Sequence, residues 1–243
     1  MAHAPPPLNP PNFPGAFQNT TAPASWQAVR DQIDPAVAWN FWRVCQDDVH
    51  YEHQLYGYLN AYLGEIFPAH RRFTVHPQYM LRPVTEEGNL SIGSLGGEHR
   101  SRNNHGRETN KKLPDFLVTK SFPRQLNEPR AQLFVALVEV KLSLQAAQED
   151  GPTDVESLDQ VYDYLDVVAE YPHAENELNG FLVSPDRFLH VVRESSGTGF
   201  PTYRYYPSSY RADREYGYVF SLHTPLVRYL GLIAIAKWNR RDV

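Results

Sequence analysis

The 243-residue chain predicts an α/β fold with a mixed central sheet flanked by helices. Three observations carry that prediction. Leu133, Val135 and Leu137 alternate with Phe134, Ala136, Val138 and Val140, so a strand there is apolar on both faces. Such a strand belongs in the middle of a sheet covered on both sides. Leu55, Leu59, Tyr62 and Ile66, and then Val155, Leu158, Val161, Tyr162, Leu165 and Val168, recur at helical spacing. The segments run helix, three strands, helix, strand, with additions after them, an order that packs helices on both faces of a mixed sheet.

Residues 1–24 carry Pro5, Pro6, Pro7, Pro10, Pro11, Pro14 and Pro23 without periodic hydrophobicity. They predict an extended, disordered tail ahead of a single domain over 25–243. Ser25 reads as the cap of a short helix from Trp26 to Ile33, and Asp34-Pro35 opens a long one to about Phe67, stopped by Pro68. Arg72 to Pro83 reads as a strand, with Pro77 marking a bend or an edge. Glycines 88, 93, 96, 97 and 106 make the next stretch, 86–112, a loop. Two strands follow, around Phe116 and Leu133, joined by a Pro/Asn/Glu turn that predicts an antiparallel hairpin. A helix spans Thr153 to Tyr171. Strands follow at Gly180–Ser184, Phe188–Val192, Thr202–Tyr206 and Tyr216–Phe220, and Thr224-Pro225 caps a last helix, Leu226 to Trp238.

A single cysteine, Cys45, excludes an internal disulfide framework, and cysteine-held zinc or iron–sulfur sites with it. No basic stretch followed by an apolar one stands near residue 1, which predicts no signal peptide, and the longest apolar run, Leu230 to Ala236, is too short to span a bilayer. Together these predict an intracellular protein, nuclear or cytoplasmic alike, with no membrane partner. The net charge of −5 hides an asymmetry. Gly93 to Arg130 holds eight Lys or Arg against four acids, while Glu139 to Asp186 holds Lys141 against twelve. The basic segment leading past Asp115 is the footprint that polyanions select.

Charge in apolar surroundings points to chemistry. Glu139 and Lys141 lie two apart on one face of the doubly apolar strand. Burying them is costly unless each has a counter-ion or a metal. Stepping back along the Leu55–Leu59 stripe reaches Glu52, an acid on a core-facing helix; without a metal, a tyrosine such as Tyr56 would be its hydrogen-bond partner. Taken singly, Glu-x-Lys is most often a solvated charge pair and Pro-Asp a turn. Here they fall on buried strands in a consistent order.

Pro114-Asp115 followed by Glu139-Val140-Lys141 resembles the Pro-Asp…(Asp/Glu)-x-Lys signature of the restriction-endonuclease-like, or PD-(D/E)XK, nuclease superfamily. The element order from Glu52 to Val192 is similar to that family's α-β-β-β-α-β core. Gln160 and Tyr164, four apart and so on one helix face, resemble the Gln-x-x-x-Tyr element of its RecB-like and phage-exonuclease-like branch. The resemblance implies a nuclease, an endonuclease in the first instance, that hydrolyses phosphodiesters in DNA before RNA and leaves 5′-phosphates. It implies Mg²⁺ or Mn²⁺ held by Asp115, Glu139, the Val140 carbonyl and Glu52, with Lys141 catalytic and Gln160 auxiliary. Related endonucleases that cut both strands are often homodimers. The chemistry agrees: Mg²⁺ takes hard oxygen ligands, and a lysine beside cations has its pKa pushed down toward water activation.

Two stretches suit a polyanion. Arg100, Arg102, Arg107, Lys111 and Lys112 would track phosphates, and the resemblance implies that Tyr164 supports the substrate. Around Arg204 and Arg211, arginines interleave with tyrosines as in base-stacking surfaces, or as on an edge hairpin with half-buried tyrosines. His50 and His53, next to Glu52, fall off the stripe and read as exposed or satisfied. The alternative to a nuclease is a non-catalytic nucleic-acid-binding or protein-interaction domain that keeps the fold.

Overall fold

Every residue from Leu133 to Val140 is buried, and together they make up nearly all of β3 (Gln132–Val140), which lies inside the sheet. The computed structural model describes residues 21–46, 49–79, 114–122, 132–142, 155–171, 174–185, 187–195, 200–206, 217–218 and 225–240. β1 (Phe73–Pro77), β2 (Phe116–Ser121), β3, β4 (Glu177–Val183), β5 (Arg187–Ser195) and β6 (Pro201–Tyr206) lie side by side in that order. The short β7 (Gly217–Tyr218) pairs with β5 as well. β3 and β4 run parallel, and the other neighbours along this path are antiparallel. The chain is therefore a mixed α/β protein. β1 forms one edge, and Pro77 closes it where a missing N–H costs no ladder bond.

Helices cover both faces. α1 (Trp26–Gln32), α2 (Pro35–Gln46), α3 (His53–Ile66) and α5 (Pro225–Trp238) bury Val29, Phe41, Leu59, Ile66 and Leu230 with Phe116, Val138 and Phe181. α4 (Val155–Ala169) covers the other face, packing Val161, Leu165 and Val168 on Leu137, Leu178 and Leu182. It packs tightly over Gly180, where a Cβ would stand 2.7 Å from Val161 Cγ1. This close contact is what seats α4 across β3 and β4.

Two elements depart from the sequence reading. The long helix expected from Pro35 to Phe67 is two, α2 and α3. Gln54 Oε1 accepts the backbone N–H groups of His50 and Tyr51, each at 2.9 Å, and so ties the first turn of α3 to the residues just ahead of it. Glu52 then sits half-buried at the N-cap position, one turn before the buried stripe begins. In β3 the simple alternation fails as well. Val118 faces Ala136 but Thr119 faces Phe134, leaving Val135 as the extra residue of a bulge. Val135 and Ala136 both join the core under α5, whereas Phe134 and Leu137 join the one under α4.

A buried lysine is explained by the same architecture. Lys120 Nζ donates to the carbonyls of Lys237 and Trp238, at 2.5 and 2.7 Å, and so caps the end of α5. Burial first, then Arg71 and Arg72, push its pKa down to about 8.

Candidate active site

The first strand pair builds the site. Phe116 faces Val138 across the β2–β3 ladder, so Asp115, one residue earlier, comes opposite Glu139, one residue later. Gln78 N–H extends the β1 side of the ladder by donating to the Asp115 carbonyl at 2.7 Å. Glu139 shares the α4 face with Leu137, and Lys141 follows it just past the strand end, where its N–H donates to the Val183 carbonyl at 2.8 Å. The hairpin register thus brings Asp115, Glu139 and Lys141 to one end of the sheet.

Each acid is held differently. Asp115 Oδ2 accepts the Val140 N–H at 2.7 Å, and Asp115 Oδ1 accepts the Tyr56 hydroxyl from α3. Glu139 Oε1 accepts Lys141 Nζ at 2.9 Å, while Glu139 Oε2 is buried and receives no hydrogen bond among the described residues. Burial, and then the charge of Asp115, push the Glu139 carboxyl up to about 7, against the pull of Lys141. Burial likewise raises Asp115, although its two donors and Lys141 work the other way. For Lys141, burial disfavours the ammonium, but the Glu139 hydrogen bond and the charges of Glu139, Glu52 and Asp115 outweigh it. The protein's own groups therefore raise the Lys141 pKa, opposite to the shift anticipated beside a cation.

The remaining predicted residues divide. Glu52 lies near enough to raise Lys141 and Tyr56 through its charge. Among the described residues, though, no three His, Cys, Asp or Glu side chains cluster to hold a metal, so Glu52 does not close a three-carboxylate set. Gln160 is half-buried on α4, and its Oε1 has no hydrogen-bond donor among the described residues. Tyr164, expected on a substrate surface, is 5% exposed and packed in the α4 core. Its phenol is raised first by burial and then by Glu139 and Asp115, which places it beside the acids. The Val140 group seen at work is its N–H, holding Asp115.

Arg204 is exposed on β6 and pairs with Glu194 and, at 3.8 Å, with Glu177. Tyr203 and Tyr205 beside it are half-buried, and the Tyr203 and Tyr162 rings lie 4.4 Å apart. This part of the surface is the edge strand with half-buried tyrosines. Arg100, Arg102, Arg107, Lys111, Lys112 and Arg211 lie outside the described residues. His50 and His53 are exposed.

Tyr56 is the residue that sequence reasoning misplaced. It stands four residues after Glu52, on the same helix face, and it reaches Asp115. Its ring also packs edge-on against Phe116, with centroids 5.5 Å apart. Only the acid four residues earlier signalled it.

Comparison with protein-family models, with curated proteins and with solved structures returns no match for this chain.

Proposed function

We propose that the protein is a metal-dependent phosphodiester hydrolase acting on nucleic acid, DNA before RNA, on a restriction-endonuclease-like core. The observation that carries this reading is the facing pair Asp115 and Glu139, with Lys141 beside them and Glu139 Oε2 buried without a donor. Two carboxyl groups forced together, one with an orphaned oxygen, fit a hard divalent cation. Asp115 and Glu139 are the residues that would hold Mg²⁺ or Mn²⁺, with the Val140 carbonyl as a third oxygen. When bound, such an ion supplies charge neutralisation at the phosphate and acidifies a water for attack.

The chain's own groups account for the rest. Tyr56 and the Val140 N–H fix the plane of Asp115, and Lys141 stands within reach of Glu139 to orient the water. Gln160 Oε1, aimed into buried surroundings on the same side as Tyr164, offers an acceptor to that water or to the substrate.

A second reading, a nucleic-acid-binding or protein-interaction domain without catalysis, draws on one observation. Both Asp115 oxygens already have donors, and Lys141 is already paired with Glu139. One experiment decides between them. The purified chain is incubated with linear, circular and branched DNA and with RNA, in Mg²⁺, Mn²⁺ or EDTA, beside Glu139→Ala and Lys141→Ala. Cleavage that needs the metal and is lost in both variants supports the hydrolase. Absent cleavage, or cleavage indifferent to both substitutions, sinks it.

A further inference from the structure

We infer that Tyr56 is a positioning residue for the metal site, setting the orientation of Asp115 from a helix on the other face of the sheet. The inference rests on the metal-site reading above and deepens it. Asp115 sits just ahead of β2, where the chain has left the ladder and a carboxylate would be free to rotate about its last bond. Two donors from different elements prevent that. The Val140 N–H takes Oδ2 from within the sheet, and the Tyr56 hydroxyl takes Oδ1 from α3. Opposed donors on the two oxygens leave one plane for the carboxylate, and with it one set of directions for its remaining lone pairs.

Tyr56 is itself held. Its ring meets Phe116 edge-on, Phe116 is fully buried, and Leu55 and Leu59 anchor α3 in the core on either side. The hydroxyl is thus delivered by a rigid helix and not by a loop, the condition under which an outer partner can tune a ligand. Glu139 is held from within the sheet alone, by Lys141 Nζ two residues on along the same strand and by the Asp115 backbone N–H. The two carboxylates therefore differ in kind, one fixed from both the sheet and α3 in Asp115 and one held by the sheet alone in Glu139. Loss of the Tyr56 hydroxyl would free the fixed one.

The test is a Mn²⁺ titration of the full chain by calorimetry, with a parallel cleavage assay across Mn²⁺ concentrations, on wild type, Tyr56→Phe and Asp115→Asn. Tyr56→Phe keeps the ring on Phe116 and removes only the hydroxyl. The expected result is a Mn²⁺ affinity about 10- to 100-fold weaker, the usual effect of losing an outer partner of a ligand. Excess Mn²⁺ should restore the Tyr56→Phe cleavage rate to within a few fold of wild type, whereas Asp115→Asn stays inactive. A purely structural role for Tyr56 would lower the melting temperature without displacing the Mn²⁺ curve. Superimposed Mn²⁺ curves for wild type and Tyr56→Phe overturn the inference and leave the metal site standing. A wild type that binds no Mn²⁺ removes the metal site and the inference with it.

Discussion

Asp115, one residue ahead of β2, and Glu139, near the end of β3, put two buried carboxyl groups at one end of the sheet. They should respond to amidation in opposite directions. Glu139→Gln removes a charge held up near pKa 7 by burial and by Asp115, and its amide oxygen can still accept from Lys141. At pH 8 without divalent metal this variant should be more stable by about 1–2 kcal/mol, as neutralised active-site acids often are. Asp115→Asn turns an amide NH₂ toward either Tyr56 or Val140, both donors, and should lose about 1–3 kcal/mol. Urea unfolding of the pair measures both signs, and two losses would contradict the electrostatic account of Glu139.

Gly180 lies where α4 packs tightly on the sheet, without room for a Cβ. Gly180→Ala would force Val161, a stiff β-branched residue next to Gln160, away from β4. The expected cost is about 1–3 kcal/mol in urea unfolding. A shifted α4 should also reduce any cleavage that depends on Gln160. An unfolding midpoint equal to wild type would show that α4 can adjust without strain.

His190 gives the fold a defined weakness to acid. It is 5% exposed, stacks on Phe181 at 4.3 Å and meets Asn179 Oδ1 at 2.9 Å, with Tyr206 and Tyr229 around it. Burial lowers its pKa to about 3. As the pH falls below the ordinary histidine value, the unfolded chain takes up a proton that the folded one refuses, so stability is lost. Between pH 7 and 5, His190→Gln should lose about 2 kcal/mol less than wild type in urea unfolding. Parallel pH profiles for the two proteins would rule this out.

Gln54 should matter beyond its exposed position. Its side chain, in the first turn of α3, accepts the N–H groups of His50 and Tyr51 just ahead of the helix, and Gln54→Ala removes both bonds. A loss of about 1 kcal/mol follows. Hydrogen exchange at Tyr51 to Tyr56 should rise with it, because the helix that carries Tyr56 would fray from this end. Unchanged exchange there would locate the contribution of these two bonds elsewhere.

Much of the layout was legible because strong local patterns produced it. The stripe at Leu55, Leu59, Tyr62 and Ile66 is buried as its spacing predicts, and β2 and β3 pair antiparallel. Asp115, Glu139 and Lys141 meet because two in-register strands leave them no alternative. What was illegible came from contacts distant in sequence, or from patterns with no contrast. A strand apolar on both faces reads the same with or without an extra residue, so Val135 gave no sign of the bulge. The end of α2 and the start of α3 carry polar residues that extend one helix as readily as they begin another. Tyr56 meets Asp115 across 59 positions, a contact that no local spacing encodes.

The extra residue in β3 also bears on how the chain can change length. Removing Val135 would leave Phe134 opposite Thr119 and Ala136 opposite Val118 in an unbroken ladder, with every other facing pair as it is now. Removing Val138 instead would turn the residues on one side of the gap to the opposite face, Glu139 among them if the rest of the strand keeps its register. At Val135, therefore, a deletion is absorbed as lost packing. A chain shorter by that one residue would keep the aim of Glu139 unchanged.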